Sequence, residues 1–294
     1  MNRFKMTATL ATMTATMLTA WAQEPAPAVN GEPQAKPAEL VKASEAPKTE
    51  AQQDSTAELA KKAQNPVADL MIMPFQYNVD FGIGPEDAVQ QNLKFMPVIP
   101  FSLGEEWNLI TRTIIPLIDA ESPVKGGKDR FGLGDIQQSF FFTPKDTVGG
   151  WILGAGPIIQ YPSATDHFLG SEKWGAGPSL IALQQMNGWT YGLLANHVQS
   201  FAGNEDRDEV SGTFLQPFLA KTFKTYTTLS LNTETIYDWE NSQWTVPINA
   251  SIGQMFKIGK LPISLELGYR YYAEAPDNGP EWGLRLFVKF LFPQ

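Results

Sequence analysis

The sequence predicts an all-β chain: a transmembrane, antiparallel, up-and-down β-barrel of about twelve strands with a disordered N-terminal segment. Three observations carry this reading. The chain opens on an export leader, apolar and polar residues alternate through most of its length beyond residue 70, and long connections alternate with short ones.

The leader comes first. Arg3 and Lys5 precede an uncharged run from Met6 to Ala20, and Ala20-Trp21-Ala22 supplies a small-x-small cleavage pattern, so residues 1–22 read as a signal peptide. The run is shorter than the ~20 residues of a spanning helix and is diluted by threonine, which argues against an anchor. The chain has no cysteine, which leaves no disulfide staple and no thiolate nucleophile or metal ligand. Its net charge is −9, becoming −11 when Arg3 and Lys5 leave with the leader. Such an acidic surface excludes nucleic acid as a partner.

Residues 23–65 change texture, with Pro25, Pro27, Pro33, Pro37 and Pro47 among Ala, Glu, Lys and Gln. So few apolar groups cannot offset the entropy of ordering, and the segment reads as a disordered periplasmic tether. Near its end Ser55 and Glu58 form a capping-box pattern that predicts a short helix, stopped by Pro66.

Residues 66–294 read as the barrel. Strands are expected near 70–83, 90–101, 107–119, 131–143, 149–161, 174–184, 188–200, 210–221, 225–237, 243–256, 261–272 and 281–292. The last is the clearest: Trp282, Leu284, Leu286, Val288, Phe290 and Phe292 alternate with Gly283, Arg285, Phe287, Lys289 and Leu291. The strand before it sets Ile263, Leu265, Leu267, Tyr269 and Tyr271 against Ser264, Glu266, Gly268, Arg270 and Tyr272. Alternation alone also fits a soluble sandwich. Loop asymmetry separates the two readings. The connections around Ala120 to Arg130, Pro162 to Lys173, Phe201 to Glu209 and Ala273 to Pro280 are long and acidic; those at Gln185 to Asn187, Thr222 to Lys224 and Lys257 to Lys260 are short. Asp238 to Ser242 is a short exception in the long set. Trp107, Trp151, Trp174, Trp189, Trp239, Trp244 and Trp282 all fall near strand ends, as the aromatic girdles of a membrane barrel require.

A resemblance adds to this. Asn65-Pro-Val-Ala-Asp69, Met73-Pro-Phe75, Pro97 to Phe101, Trp107 to Thr113, Gly132-Leu-Gly-Asp-Ile136, Gly175-Ala-Gly-Pro178, Phe214 to Phe218, Asn232-Thr-Glu234 and Trp244 to Ile248 stand in this order. Together they resemble the proteobacterial outer-membrane transporter-like proteins, some of which carry the misleading label neuromedin U. The stretch from Gly132 to Ile136 is also similar to barrels of the phenol-degradation meta-pathway group. The resemblance implies passage of small solutes, hydrophobic and aromatic ones among them, without naming one. The chain departs from barrels that end on an aromatic residue read by the assembly machinery, because Pro293 and Gln294 follow Phe292.

On the expected lumen face stand the ionisable residues Arg112, Asp135, Glu234, Glu266, Arg270, Arg285 and Lys289. Charges inside a barrel must meet one another or water. Glu266 and Arg270, beside Arg285 and Lys289 on the next strand, suggest a cross-strand ladder, either a constriction that selects solutes or a filling of the lumen. His167 falls in a loop and His197 on a strand, and no serine motif marks a nucleophile, so no enzyme is expected. No cofactor motif is present: Gly132-Leu-Gly134 opens no helix and reads as relief of crowding. Glu205-Asp-Arg-Asp-Glu209 lacks the ligand spacing of a calcium loop and reads as solvated rim.

The expectation is an outer-membrane channel of a Gram-negative bacterium for passive passage of small solutes, with the acidic loops favouring cations. Its other expected partners are outer-membrane lipid, lipopolysaccharide and the barrel-assembly machinery. The competing expectation is a plugged barrel serving as a binding or structural scaffold.

Overall fold

The computed structural model describes residues 50–292; the stretch expected to be a leader, most of the Pro-rich stretch and the last two residues lie outside the described residues. One helix, α1 (Glu50–Lys62), precedes fifteen ladder segments. These are β1 (Met71–Ile83), β2 (Ala88–Phe95), β3 (Val98–Leu103), β4 (Trp107–Ala120), β5 (Arg130–Leu133), β6 (Ile136–Pro144), β7 (Trp151–Tyr161) and β8 (Lys173–Met186). They continue as β9 (Trp189–Gly203), β10 (Ser211–Thr222), β11 (Thr227–Thr233), β12 (Thr235–Asp238), β13 (Gln243–Ile258), β14 (Leu261–Glu274) and β15 (Trp282–Phe292).

Three strands are interrupted. Met96-Pro97 parts β2 from β3, Gly134-Asp135 parts β5 from β6, and Glu234 parts β11 from β12, so the segments make twelve strands. Each is antiparallel to its neighbour, and β15 pairs with β1 from Met71↔Phe292 to Phe81↔Trp282, closing the sheet. Closure leaves no open edge, which is what a lipid environment requires. Met71 and Phe292 share one end of the barrel with the short turns. There Asn187-Gly188 joins β8 to β9 with both residues at positive φ (52° and 77°), the hairpin turn that matches the twist of the flanking strands.

The alternation expected from the sequence is realised. Leu265, Leu267, Tyr269, Tyr271 and Leu284 are exposed on the outside, whereas Ser264, Glu266, Arg270, Arg285 and Lys289 are buried inside. All seven tryptophans of the girdles are on the exposed exterior. Trp107, Trp151 and Trp189 begin strands at the short-turn end, while Trp174, Trp239, Trp244 and Trp282 sit at the long-loop end. An apolar outer face between two aromatic belts belongs in a bilayer.

The helix differs from expectation. It begins at Glu50, because Glu50-Ala-Gln-Gln are good helix formers that carry it upstream, so Ser55 falls within the helix instead of at its start. It ends at Lys62, short of Pro66, and Asn65 turns the chain by accepting a 2.9 Å hydrogen bond from Val67 N. From here the chain enters the lumen. Ala60, Ala63, Val67, Ala68 and Leu70 are buried in one apolar cluster with the inward residues Ile110, Phe141, Leu183, Leu194 and Leu291. Each fully buried large side chain contributes about 1.5–3 kcal/mol, enough to hold a short segment in place. The expected tether is thus, from Leu59 onward, a plug at the short-turn end.

Candidate functional site

Beyond the plug the lumen holds a cavity of about 570 Å³. Its floor is Ala63, Gln64, Asn65 and Pro66, and its wall carries six of the seven residues expected to face the lumen: Arg112, Asp135, Glu234, Glu266, Arg285 and Lys289. Arg270 shares their inward face but lies further along β14, nearer the long-loop end.

Pairing inside the barrel follows the expected ladder in part: Glu266 meets Lys289 on the next strand, while Arg270 and Arg285 find partners elsewhere. Register sets Gly268 opposite Arg285 and Ser264 opposite Lys289, so Glu266 lies diagonal to Lys289 and four residues from Arg270 on its own strand. Glu266 therefore pairs with Lys289, at 2.5 Å. Arg285 Nη2 instead reaches Glu234 at 2.8 Å, and its Nε donates to Asn78 Oδ1 at 2.8 Å. Glu234 sits at the break between β11 and β12, and its carboxylate reaches Arg285 across the two intervening strands β13 and β14.

Arg270 turns away from Glu266 towards Asp80. Its Nε lies 3.5 Å from Asp80 Oδ1, an attraction without a hydrogen bond, and Nη2 donates to Tyr272 Oη at 3.0 Å. Asp80 and Arg270 both face Gly283 across the ladders. A Cβ at Gly283 would stand 2.4 Å from Asp80 Oδ1, so glycine is what lets that carboxylate lean across β15.

Asp135 has a different task. Its carboxylate accepts hydrogen bonds from Ser171 N and Oγ, both at 2.7 Å, and from Ala164 N at 3.3 Å, holding the 162–172 loop to the wall. Gly132 and Gly134 beside it make room, since a Cβ would meet Thr165 Oγ1 at 2.2 Å and Ile118 Cδ1 at 2.9 Å.

The outer loops are laced to one another. Arg207, inside the acidic run, donates to Gly170 O at 2.7 Å, and Lys173 Nζ pairs with Glu209 at 2.8 Å. Hydrogen bonds from Lys173 and Ser200 hold the Glu209 carboxyl below its usual range; Asn204 and His167 do the same for Glu172. His197 lies on the outer face beside Thr213, with Nδ1 to Oγ1 2.9 Å, away from the lumen.

Several partners escaped the sequence reading: Gln64, Asn78, Asp80, Lys94 and Tyr272. The signal was present, since Gln76, Asn78 and Asp80 alternate with Phe75, Tyr77, Val79 and Phe81, and Asn92, Lys94 and Met96 alternate with Leu93 and Phe95. Gln64 was beyond such a signal, because alternation says nothing about a segment that folds back into the lumen.

The plug is tied to this wall by polar contacts. Gln64 Nε2 donates to Glu266 Oε1 at 3.0 Å, Lys289 Nζ to Ala63 O at 3.1 Å, and Gln185 Nε2 to Lys61 O at 2.8 Å. Two of the three involve the Glu266–Lys289 pair.

Neither a protein-family model nor a curated protein sequence matches the chain. In three dimensions it is similar to an outer membrane channel from Pseudomonas putida F1, at TM-score 0.57 and 14% identity over 76% of this chain and 94% of that one. The NanC porin (TM-score 0.48, 8% identity, 76% of this chain and 100% of that) and the β domain of a Bordetella autotransporter (0.43, 14%, 76% and 99%) are more distant in shape. The described chain is a closed twelve-stranded antiparallel barrel with an apolar exterior, the architecture of a bacterial outer-membrane protein.

Proposed function

We propose that this chain is an outer-membrane channel for passive passage of small solutes, closed at its short-turn end by the segment Leu59–Leu70. The observation that carries the reading is a 570 Å³ cavity floored by that segment, which no strand of the barrel contains. A permanent filling would leave no such space above it; a gate would. The segment's polar ties are few and all lie at one end, so its release breaks a small number of contacts while the closed sheet stays intact.

Charge bears on what passes. The acidic loops suggest cation preference, but they sit at the long-loop end, whereas the cavity wall carries Lys94, Arg112, Arg285 and Lys289 against Asp135, Glu234 and Glu266. The wall's small positive excess favours anions there, opposite to the preference expected from the loops alone. The resemblance to outer-membrane transporter-like proteins agrees with a solute path.

Planar-bilayer conductance tests the proposal. The refolded chain from Gln23 is compared with one lacking Gln23 to Gln64. Steady, larger, anion-selective steps after deletion are expected. Heat-modifiable barrels that never conduct, with or without the segment, overturn it and favour the scaffold.

A further inference from the structure

We propose that Asn196, Gln216, Asn232 and Asn249 form a subsite for a hydroxyl-rich saturated ring, a pyranose, in the lumen cavity. The inference rests on the reading that solutes enter the lumen, and it adds the chemical class that this part of the wall fits.

The four carboxamides stand on adjacent strands and line one side of the cavity. Register places Asn196 of β9 opposite Phe214 of β10, and Phe218 of β10 opposite Asn232 of β11. Gln216 lies midway between those two phenylalanines on the same inward face, so it is the diagonal neighbour of Asn196 on one side and of Asn232 on the other. Asn249 of β13 stands opposite Asn232 and donates to it, Nδ2 to Oδ1, at 3.0 Å. The amides thus run in an unbroken diagonal across β9, β10, β11 and β13.

Most of their hydrogen-bonding capacity is unused. Among the described residues, neither the Asn196 nor the Gln216 side chain has a hydrogen-bond partner. Asn249 is 3% exposed, and its Oδ1 has no partner. Asn232 gives its oxygen to Asn249, and its amide hydrogens meet no acceptor among the described residues. The carboxylates of the wall bond elsewhere: Glu234 to Arg285, Glu266 to Lys289 and Asp135 to Ser171.

What such a row recognises follows from its chemistry. A carboxamide sets two donors beside an acceptor, and a hydroxyl is donor and acceptor at once, so neighbouring hydroxyls on one ring match neighbouring amides without any charge. Amides that are desolvated and left unpaired are costly, which penalises a solute of the same shape that lacks hydroxyls. Phe214 and Phe218 supply the other half of the site. Both line the cavity while packing against the apolar cluster, which holds their rings on either side of Gln216. The weakly positive C–H groups of a saturated ring suit the electron-rich face of an aromatic side chain. A volume near 570 Å³ lies within the range of about 300–1,000 Å³ found for small-molecule sites. A flat aromatic solute would leave the amides unmet.

Glucose is the probe, and tetrahydropyran-2-methanol, the same ring stripped of its ring hydroxyls, is its control. Saturation-transfer NMR titrations are run on the full chain from Gln23 in lipid nanodiscs, with empty discs as the blank. Saturable glucose binding, tighter than that of the control by about tenfold or more, is expected. Gln216→Leu and Asn196→Leu remove amides that bond to nothing else in the described protein, so both should fold, and each should weaken glucose by about fivefold or more. Equal binding of the two probes, no saturable glucose binding, or full binding by both folded variants would each overturn the subsite. If a variant does not fold, the comparison of the two probes on the unaltered chain decides. Conductance of the same preparation is read separately: glucose binding without conductance removes the channel reading and leaves the subsite, and conductance without glucose binding does the reverse.

Discussion

Lys289 closes on Glu266 at 2.5 Å, inside the barrel, and the same ammonium donates to the carbonyl of Ala63 in the plug. One ion pair on the wall is therefore also the clasp of the segment that turns into the lumen at its short-turn end. Both side chains are buried, so each charge depends on the other.

Breaking that pair from one side should be worse than removing it whole. Lys289→Met leaves the Glu266 charge buried and should cost about 3–5 kcal/mol of stability, whereas Lys289→Met combined with Glu266→Gln should cost less than either change alone. The temperature at which the folded band is lost on electrophoresis measures this. The double variant should also conduct more often, because Ala63 O loses its donor and Gln64 keeps only a neutral acceptor in place of a carboxylate; unchanged conductance would separate the pair from the plug.

Glu234 is the carboxylate that Arg285 reaches at 2.8 Å, and Arg270 stands 4.0 Å from it. Glu234→Gln removes the charge without changing shape and leaves both guanidiniums facing the lumen. The reversal potential in a salt gradient should move towards stronger anion preference. A shift towards cations would mean that these groups lie off the ion path.

Gly283 has room for no side chain. In Gly283→Val the new Cβ would meet Asp80 Oδ1 at 2.4 Å and Val79 O at 2.7 Å, parting Asp80 from Arg270. Crowding of this kind costs about 1–3 kcal/mol, read as a lower unfolding temperature. A barrel as stable as the unaltered one would show that β1 and β15 can move apart.

Acid should loosen the outer loops before the barrel. Glu172 and Glu209 have folded values depressed below their ordinary ones, so their contribution is complete above the unfolded value of roughly 4.3 and is lost as pH falls through the folded value. Limited proteolysis within 162–172 and 204–210 should accelerate below about pH 4, with the strands still protected. Equal cleavage at pH 3 and pH 6 would count against the interloop bonds.

The barrel was legible because its signals are local. Period-two alternation on β14 and β15 assigned both faces, and tryptophans beside turns marked the membrane boundaries, since lipid on one side and lumen on the other impose opposite polarity on neighbouring residues. The candidate site was half legible. Alternation put Glu266, Arg270, Arg285 and Lys289 on one face and allowed the Glu266–Lys289 pair across β14 and β15, but it could not supply Asp80 and Glu234 as the partners of Arg270 and Arg285. Nothing near Glu234 in sequence announces Arg285, fifty-one positions away.

By itself, then, the sequence determined that this chain is a membrane barrel with an apolar exterior and a charged interior, for those properties follow from residue type and spacing along each strand. Only the tertiary structure decided that the segment after α1 turns back into the lumen, that Glu266 takes Lys289 while Glu234 takes Arg285, and that Arg270 leans to Asp80. The register of neighbouring strands and the reach of side chains across others, set by the closure and shear of the sheet, decide these pairings, and no local pattern encodes them.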